Sequence, residues 1–250
     1  MRALIRSVTP GFVLRTKRAI QREIELSRSI AGVAKLGEAR DPAEALEMVQ
    51  GFRGWGDYAR IDSVQIPSEI CALFDLLREQ KVRRACEIGS FLGGTLCMMT
   101  RLLPDDAELF SLDWPEVADG PRPLATRKRF HEGFARKDQR VTVLYGDSHS
   151  EETAGRLATL LEGRPLDFLF IDGDHSSEGV RRDFELYAPF VRAGGLIGFH
   201  DIVPHDEAGF GVAEFWEELR TRYETREICD PEARERRAGF GIGVLTWPGV

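Results

Sequence analysis

Two short stretches hold the acidic and imidazole groups best placed for chemistry. Asp172-Gly173-Asp174-His175-Ser176 follows the apolar run Phe168-Leu169-Phe170-Ile171, and His200-Asp201 follows Gly194-Gly195-Leu196-Ile197-Gly198-Phe199. Carboxylate oxygens and imidazole nitrogens brought to one spot can bind a divalent cation, or set a base beside a hydroxyl that is to lose its proton. Buried strand ends seldom carry carboxylates without a partner, so Asp172 and Asp201 read as functional. His200 has two readings, a metal ligand or a ring hydrogen-bonded to a backbone carbonyl. His205, in the loop after Pro204, reads as pocket lining or surface.

A third stretch points to a nucleotide with a charged end. The apolar run that closes at Ile88 reads as a buried strand, the glycines after it break the strand, and a helix can wind from Thr95 onward. Such a turn lets backbone approach a ligand closely and offers helix-start amides as donors. Gly89, Gly93 and Gly94 are spaced G-x-x-x-G-G, unlike the G-x-G-x-x-G of dinucleotide binders, and no Lys-Ser or Lys-Thr follows to make a phosphate loop. Glu87, just before the turn, would repel a pyrophosphate and favour an ammonium group. An amino-acid-bearing nucleotide meets both conditions.

These groups need a frame. Leu109-Phe110-Ser111-Leu112 reads as a strand ending at Asp113, 140–144 as a strand ending at Gly146-Asp147, 166–171 as a strongly apolar strand, and Gly195-Leu196-Ile197-Gly198-Phe199 as a further one. Helical patterns cover 151–161, 178–188 and 212–223, and Pro67-Ser68-Glu69 opens another helix with Ser68 as its N-cap and Ile70, Leu73, Phe74, Leu76 and Leu77 facing inward. Residues 239–246 alternate like an edge or hairpin strand. Strands alternating with helices mean a parallel sheet covered on both faces, whose ligands sit beyond the carboxyl ends of the strands.

Glu87-Ile88-Gly89-Ser90-Phe91-Leu92-Gly93-Gly94-Thr95 resembles the first motif of class I S-adenosylmethionine-dependent methyltransferases, with Asp113 where that family holds the ribose hydroxyls. Asp-Gly-Asp-His-Ser, a helix, and then Gly-Gly-Leu-Ile-x-x-His-Asp resembles the branch that includes the cephalosporin-hydroxylase-like proteins and the macrolide-sugar O-methyltransferases. Together the motifs extend the resemblance over roughly residues 67–246. It implies a doubly wound α/β fold with a mostly parallel seven-stranded sheet, helices on both faces and a last antiparallel strand.

For the site, the resemblance implies that Glu87, Gly89, Ser90, Gly93, Thr95, Asp113, Trp114, Asp147 and Asp172 bind S-adenosylmethionine. Asp147 would reach the adenine amine or serve only as a turn carboxylate, and Trp114 would stack on the adenine or fill the core edge. Asp172, His200 and Asp201 would hold a divalent cation, Mg2+ by preference, and His175 would be the base. His200 departs from the pattern, since a glutamate is commoner there and imidazole suits zinc, iron or nickel better than magnesium.

At 250 residues, with 42% hydrophobic and 30% charged residues, the chain suits one large α/β domain rather than a disordered or membrane-embedded one. A net charge of -7 and a pI near 5.4 argue against a general nucleic-acid binder and leave a small-molecule substrate. Cys71, Cys86, Cys97 and Cys229 form no C-x-x-C pair, so neither a zinc site nor a disulfide framework is expected. With no secretory signal or membrane span in the pattern, a cytoplasmic protein is expected.

Residues 1–60 read as an N-terminal helical extension and loop, and 61–250 as the cofactor-binding domain. The extension is basic at Arg2, Arg6, Arg15, Lys17, Arg18 and Arg22. A basic amphipathic helix could lie on a membrane surface or nucleic acid, but Glu23 and Glu25 favour a cap or a homodimer helix. Phe52-Arg53-Gly54-Trp55-Gly56-Asp57-Tyr58 reads as a loop that either walls a substrate pocket or plugs the core edge.

The expected activity is transfer of the sulfonium methyl to a hydroxyl of a small, sugar-like acceptor. Two alternatives stand beside it. One is a hydroxylase-like metal enzyme in which His175, His200 and Asp172 form a facial triad. The other is a non-catalytic partner protein that binds the cofactor.

Overall fold

The computed structural model describes residues 10–114, 124–204, 209–235 and 240–249. Arg2, Arg6, His205 and Gly239 lie outside the described residues. A single sheet contains β1 (Arg84–Ile88), β2 (Glu108–Asp113), β3 (Arg140–Tyr145), β4 (Leu166–Ile171), β5 (Val191–His200), β6 (Thr225–Ile228) and β7 (Ile242–Thr246). Their order is β3-β2-β1-β4-β5-β7-β6, with β7 antiparallel to both of its neighbours. The central strands are near-continuous apolar runs because both faces are covered; in β4 only Asp167 is not fully buried.

Register decides what stands together at the carboxyl edge. Ile88 is level with Leu112 of β2 and Ile171 of β4. The residues that follow, Gly89, Asp113 and Asp172, therefore leave the sheet side by side. Strand order reverses between β1 and β4, which makes this edge the topological switch point where ligands of open α/β sheets bind.

Helices α1 (Pro10–Val33), α2 (Pro42–Gly51), α3 (Pro67–Glu79), α4 (Gly94–Leu102) and α5 (Leu124–Glu132) precede β3. After it come α6 (Glu151–Leu161), α7 (Ser177–Tyr187), α8 (Val212–Arg220) and the short α9 (Pro231–Glu235). The buried side chains form two apolar clusters, one of which takes in Leu26 and Val33 of α1. That helix lies on the body of the protein: Glu23 pairs with Arg129 at 2.9 Å and Arg22 with Asp57 at 3.7 Å, while Ile20 and Ile24 stay on its outer face.

One sequence expectation, the Ser68 cap, needs correction, and two readings left open are decided. Residues 242–246 do not form an edge strand; β7 is interior, and the edge is β6, whose four residues include exposed Arg226 and carry no apolar run to announce them. Ser68 does not cap α3, which begins at Pro67 with Ile66 in the cap position; the Ser68 hydroxyl donates instead to Asp230 at 2.9 Å. The loop from Phe52 to Tyr58 plugs the core, since Phe52 and Tyr58 are buried with their rings 6.2 and 5.1 Å from that of Phe130.

Arg101, on α4, is buried without a carboxylate partner among the described residues and is satisfied by carbonyls and by the Thr100 hydroxyl. Its guanidinium donates to Gly37 O at 3.0 Å and to Phe134 O, while its own carbonyl accepts from Ala39 N at 3.1 Å. It thereby ties the segment after α1 to α4 and to the end of α5. Replacing Arg101 with Met strands these buried acceptors and should cost about 2–4 kcal/mol, read as a lower urea midpoint. Lysine should not restore the loss, because a single ammonium lacks the planar fork.

Asp183, on α7, is fully buried, with Oδ1 3.7 Å from His149 Nε2. Burial pushes its carboxyl up to about 6, with Asp174 and Asp147 adding to the rise and the Ser148 hydroxyl and His149 opposing it. Between roughly pH 4 and 6 the folded chain binds the extra proton, so this group's contribution to stability falls as pH rises through that window. Asp183→Asn removes the dependence. The stability difference between the variant and the wild type should shift in the variant's favour by about 2–4 kcal/mol from pH 4 to pH 7, followed by urea unfolding at each pH.

Candidate active site

At the switch point a cavity of about 730 Å³ runs along the ends of β1, β2 and β4. Its floor is the glycine turn. Gly89 has φ +90° and donates to Leu112 O at 2.9 Å, and a Cβ there would stand 2.0 Å from the Asp172 carbonyl oxygen. Gly93, at φ +79°, occupies the cap position of α4, where a Cβ would come within 2.8 Å of the Phe134 ring. Both positions require glycine, for left-handed backbone and for lack of space.

Glu87, Ser90 and Thr95 lie beneath this turn, all buried. Burial first, then the carboxylates of Asp172 and Asp113, push the Glu87 carboxyl well above the ordinary carboxylate range; the hydroxyls of Ser90 and Thr95 oppose the shift. Ser90 Oγ also bonds Ser111 Oγ. Glu87 Oε2 has no hydrogen-bond partner among the described residues. A buried acceptor of this kind is costly when left unmatched, and a cationic guest would match it.

Asp113 sits one strand over. Its Oδ1 accepts from Trp114 N at 3.0 Å and its Oδ2 from Arg127 Nη2 at 2.5 Å. Burial raises the Asp113 carboxyl even though Arg127 works against the rise. Arg127, itself buried, also donates to Phe91 O at 2.8 Å and lies over the Tyr145 ring at 5.6 Å. One guanidinium thus ties the glycine turn to the ends of β2 and β3. Trp114, 39% exposed, lines the cavity together with Asp147, whose Oδ1 accepts from His149 N at 2.9 Å.

At the other end of the cavity the acidic and imidazole groups converge. His175 Nδ1 is 2.7 Å from Asp201 Oδ2, and His200 Nδ1 is 3.1 Å from both Asp172 Oδ1 and Asp201 Oδ1. These are hydrogen-bond distances, yet neither ring nitrogen meets its carboxylate along the N–H direction, and both count as unsatisfied. Burial works against the His200 imidazolium, but Asp172 and Asp201 outweigh it and lift the group to about 10. Burial likewise works against Asp201, whose two imidazole partners hold it well below the usual range. The bond to Asp201 raises His175.

Ligand atoms of Asp172, His175 and Asp201 lie within 4.8 Å of one another. Oxygen-rich and imidazole-bearing, with ring nitrogens turned off their hydrogen-bond axes, the group fits a divalent cation. Asp201 also has φ +62°, a left-handed conformation uncommon for a non-glycine residue.

The structure therefore brings Glu87, Gly89, Ser90, Thr95, Asp113, Trp114, Asp147, Asp172, His175, His200 and Asp201 to one cavity wall. Gly93 stands just behind it as the helix cap. Sequence reasoning missed Arg127, in a helix with no motif, and Gln65, whose Nε2 donates to Asp172 Oδ2 at 2.7 Å. It also missed Phe210, edge-on to His175 at 5.1 Å, and Phe240, edge-on to His200 at 5.8 Å. Their only advance signal was proximity to Gly209, Gly211 and Gly241 in loops after the acidic motifs.

With this geometry in hand, comparison with known proteins is informative. A family model described as a methyltransferase domain matches residues 86–202. The chain is 35% identical over 115 residues to an uncharacterized protein of Acanthamoeba polyphaga mimivirus, a stretch covering 46% of this chain and 49% of that one. It is 35% identical over 75 residues to demethylmacrocin O-methyltransferase of Streptomyces fradiae, covering 30% of this chain and 18% of that enzyme. It spans about half or less of the length of these curated relatives.

Among solved structures, the O-methyltransferase TomG of Streptomyces achromogenes in complex with SAM is similar at a TM-score of 0.53 and 21% identity, with 85% of this chain and 91% of that one covered. The O-methyltransferase of Bacillus cereus in complex with SAH gives 0.52 and 20%, with 82% and 90% covered. At such identities the likeness speaks for the fold. Sheet order and glycine turn agree with the fold of these neighbours, and residues 86–202 match the methyltransferase domain model.

Proposed function

We propose that the chain transfers the sulfonium methyl of S-adenosylmethionine to a hydroxyl of a small, sugar-like acceptor, with help from a divalent cation. The observation that carries this reading is the buried, unpartnered Glu87 Oε2 beside Asp113 and Asp172. Three carboxylates in one cleft favour a guest that is cationic at both its amino end and its reacting centre. In this reading Glu87 takes the α-ammonium, Asp113 the ribose hydroxyls and Asp147 the adenine amine. Trp114 covers the adenine, and the bare backbone at Gly89 lets the nucleoside lie close, with Gly93 capping the helix behind it. The demethylmacrocin enzyme's name supports a hydroxyl acceptor.

Displacement at a methyl group asks the protein mainly to align donor and acceptor and to remove one proton. His175 is set for the proton: Asp201 Oδ2 stands 2.7 Å from Nδ1, which places a carboxylate behind the ring and leaves Nε2 for the acceptor. A cation held by Asp172, Asp201 and His200 would lower the pKa of that hydroxyl. Phe210 and Phe240 give the acceptor end an apolar rim.

Two outcomes test the reading. Calorimetry should detect S-adenosylhomocysteine but not NAD, and Glu87→Gln and Asp113→Asn should each weaken its binding by about tenfold or more. Loss of neither would remove both assigned contacts. Mn2+ binding, followed by its electron paramagnetic resonance, should disappear in Asp172→Asn and Asp201→Asn, the two carboxylates common to the clustered ligand atoms and the proposed ligand set, and the proton step is tested separately in His175→Ala. Release of S-adenosylhomocysteine during turnover with a panel of sugar hydroxyls should fall by about 10²–10⁴ in that last variant.

A further inference from the structure

The segment between the 3-10 turn at Gly56–Tyr58 and α3 crosses the cavity mouth as a strap. Asp62 O accepts from Gly94 N at 2.9 Å, so the strap is pinned to the glycine turn at the start of α4. A Cβ on Gly94 would lie 2.5 Å from the Asp62 carbonyl group, which leaves no space between them. Three residues on, Gln65 Nε2 donates to Asp172 Oδ2 at 2.7 Å. Strap and sheet edge are therefore joined at both ends of the cleft.

This contact fixes which way the Gln65 amide faces. A carboxylate oxygen can only accept, so the nitrogen must point to Asp172 and Oε1 must point the other way. Gln65 Oε1 is out of reach of solvent and has no donor among the described residues. Glu87 Oε2 shares that condition, lines the same cavity and belongs to a carboxylate close enough to Asp172 to feel its charge. Two buried acceptors without donors, both beside Asp172, call for a ligand group with several N–H donors.

We infer that Gln65 Oε1 and Glu87 Oε2 together form the seat of the cofactor's α-ammonium, and that Gln65 ties this seat to Asp172. The inference rests on the cofactor reading above and extends it to a residue outside the region matched by the family model. An ammonium has three N–H groups and accepts none, so it can satisfy both oxygens without displacing the Asp172 contact. The strap then acts as a specificity element: it favours nucleosides that carry the amino-acid tail over those that lack it.

The test compares two nucleosides that share the adenosine and the sulfur. S-adenosylhomocysteine carries the α-ammonium, whereas 5′-methylthioadenosine lacks the whole amino-acid tail. Their affinities are measured by calorimetry for the wild-type chain and for Gln65→Met, which keeps the side chain's length and removes both polar atoms. Residue 65 is only half-buried, on a loop, and an unchanged thermal midpoint verifies the fold.

The expected result is that Gln65→Met weakens S-adenosylhomocysteine about tenfold and leaves 5′-methylthioadenosine unchanged. Equal losses for both nucleosides, or no loss for either, would overturn the seat while leaving the cofactor reading intact. A wild-type chain that binds neither nucleoside overturns the cofactor reading, and the seat falls with it.

Discussion

Concentration of carboxylates at the ends of adjacent parallel strands is the constraint on which the rest of this site depends. The pairing of β1 with β2 and β4 holds Ile88, Leu112 and Ile171 level, so Glu87, Asp113 and Asp172 cannot avoid one another. Burial raises the first two, Glu87 well above the ordinary carboxylate range, and Glu87 feels both of the others. A cleft built this way disfavours anions and is relieved by cations. The sequence feature that excludes a phosphate loop and the charge that selects an amino-acid-bearing nucleoside are thus one arrangement seen at two levels.

The surrounding scaffold serves to keep that arrangement open. Glycines at 89 and 93 let the turn pack tightly against Asp172 and Phe134, and Arg127 offsets one of the three negative charges while fastening the turn to β2. Arg101 performs a different task farther back, joining the N-terminal helices to α4 by carbonyl contacts alone. Two buried arginines therefore divide the work. One shapes the electrostatics of the cleft, and the other holds the cap on the sheet.

Much of this was legible in the residues. The apolar runs at 109–112 and 166–171 are strands buried throughout except at Asp167, and such runs leave few alternatives once glycine turns and helical patterns separate them. The acidic and imidazole motifs converge because both close neighbouring parallel strands. Legibility failed where function depends on contacts distant in sequence. Nothing about Gln65 or Arg127 announces a partner 107 or 14 positions away. β6 was missed because its pairing with β7, rather than its own composition, makes it a strand. Ser68 was misplaced because Pro67 already supplies the first turn of α3, leaving the hydroxyl free to reach Asp230.

The most direct measurement of the central claim is a crystal structure of the chain grown with S-adenosylhomocysteine. The account predicts the nucleoside across Gly89, its amino nitrogen within about 3 Å of Glu87 Oε2 and its ribose hydroxyls on Asp113. A ligand lying in the cleft with its amino end turned away from Glu87, or found outside the cleft altogether, would contradict it.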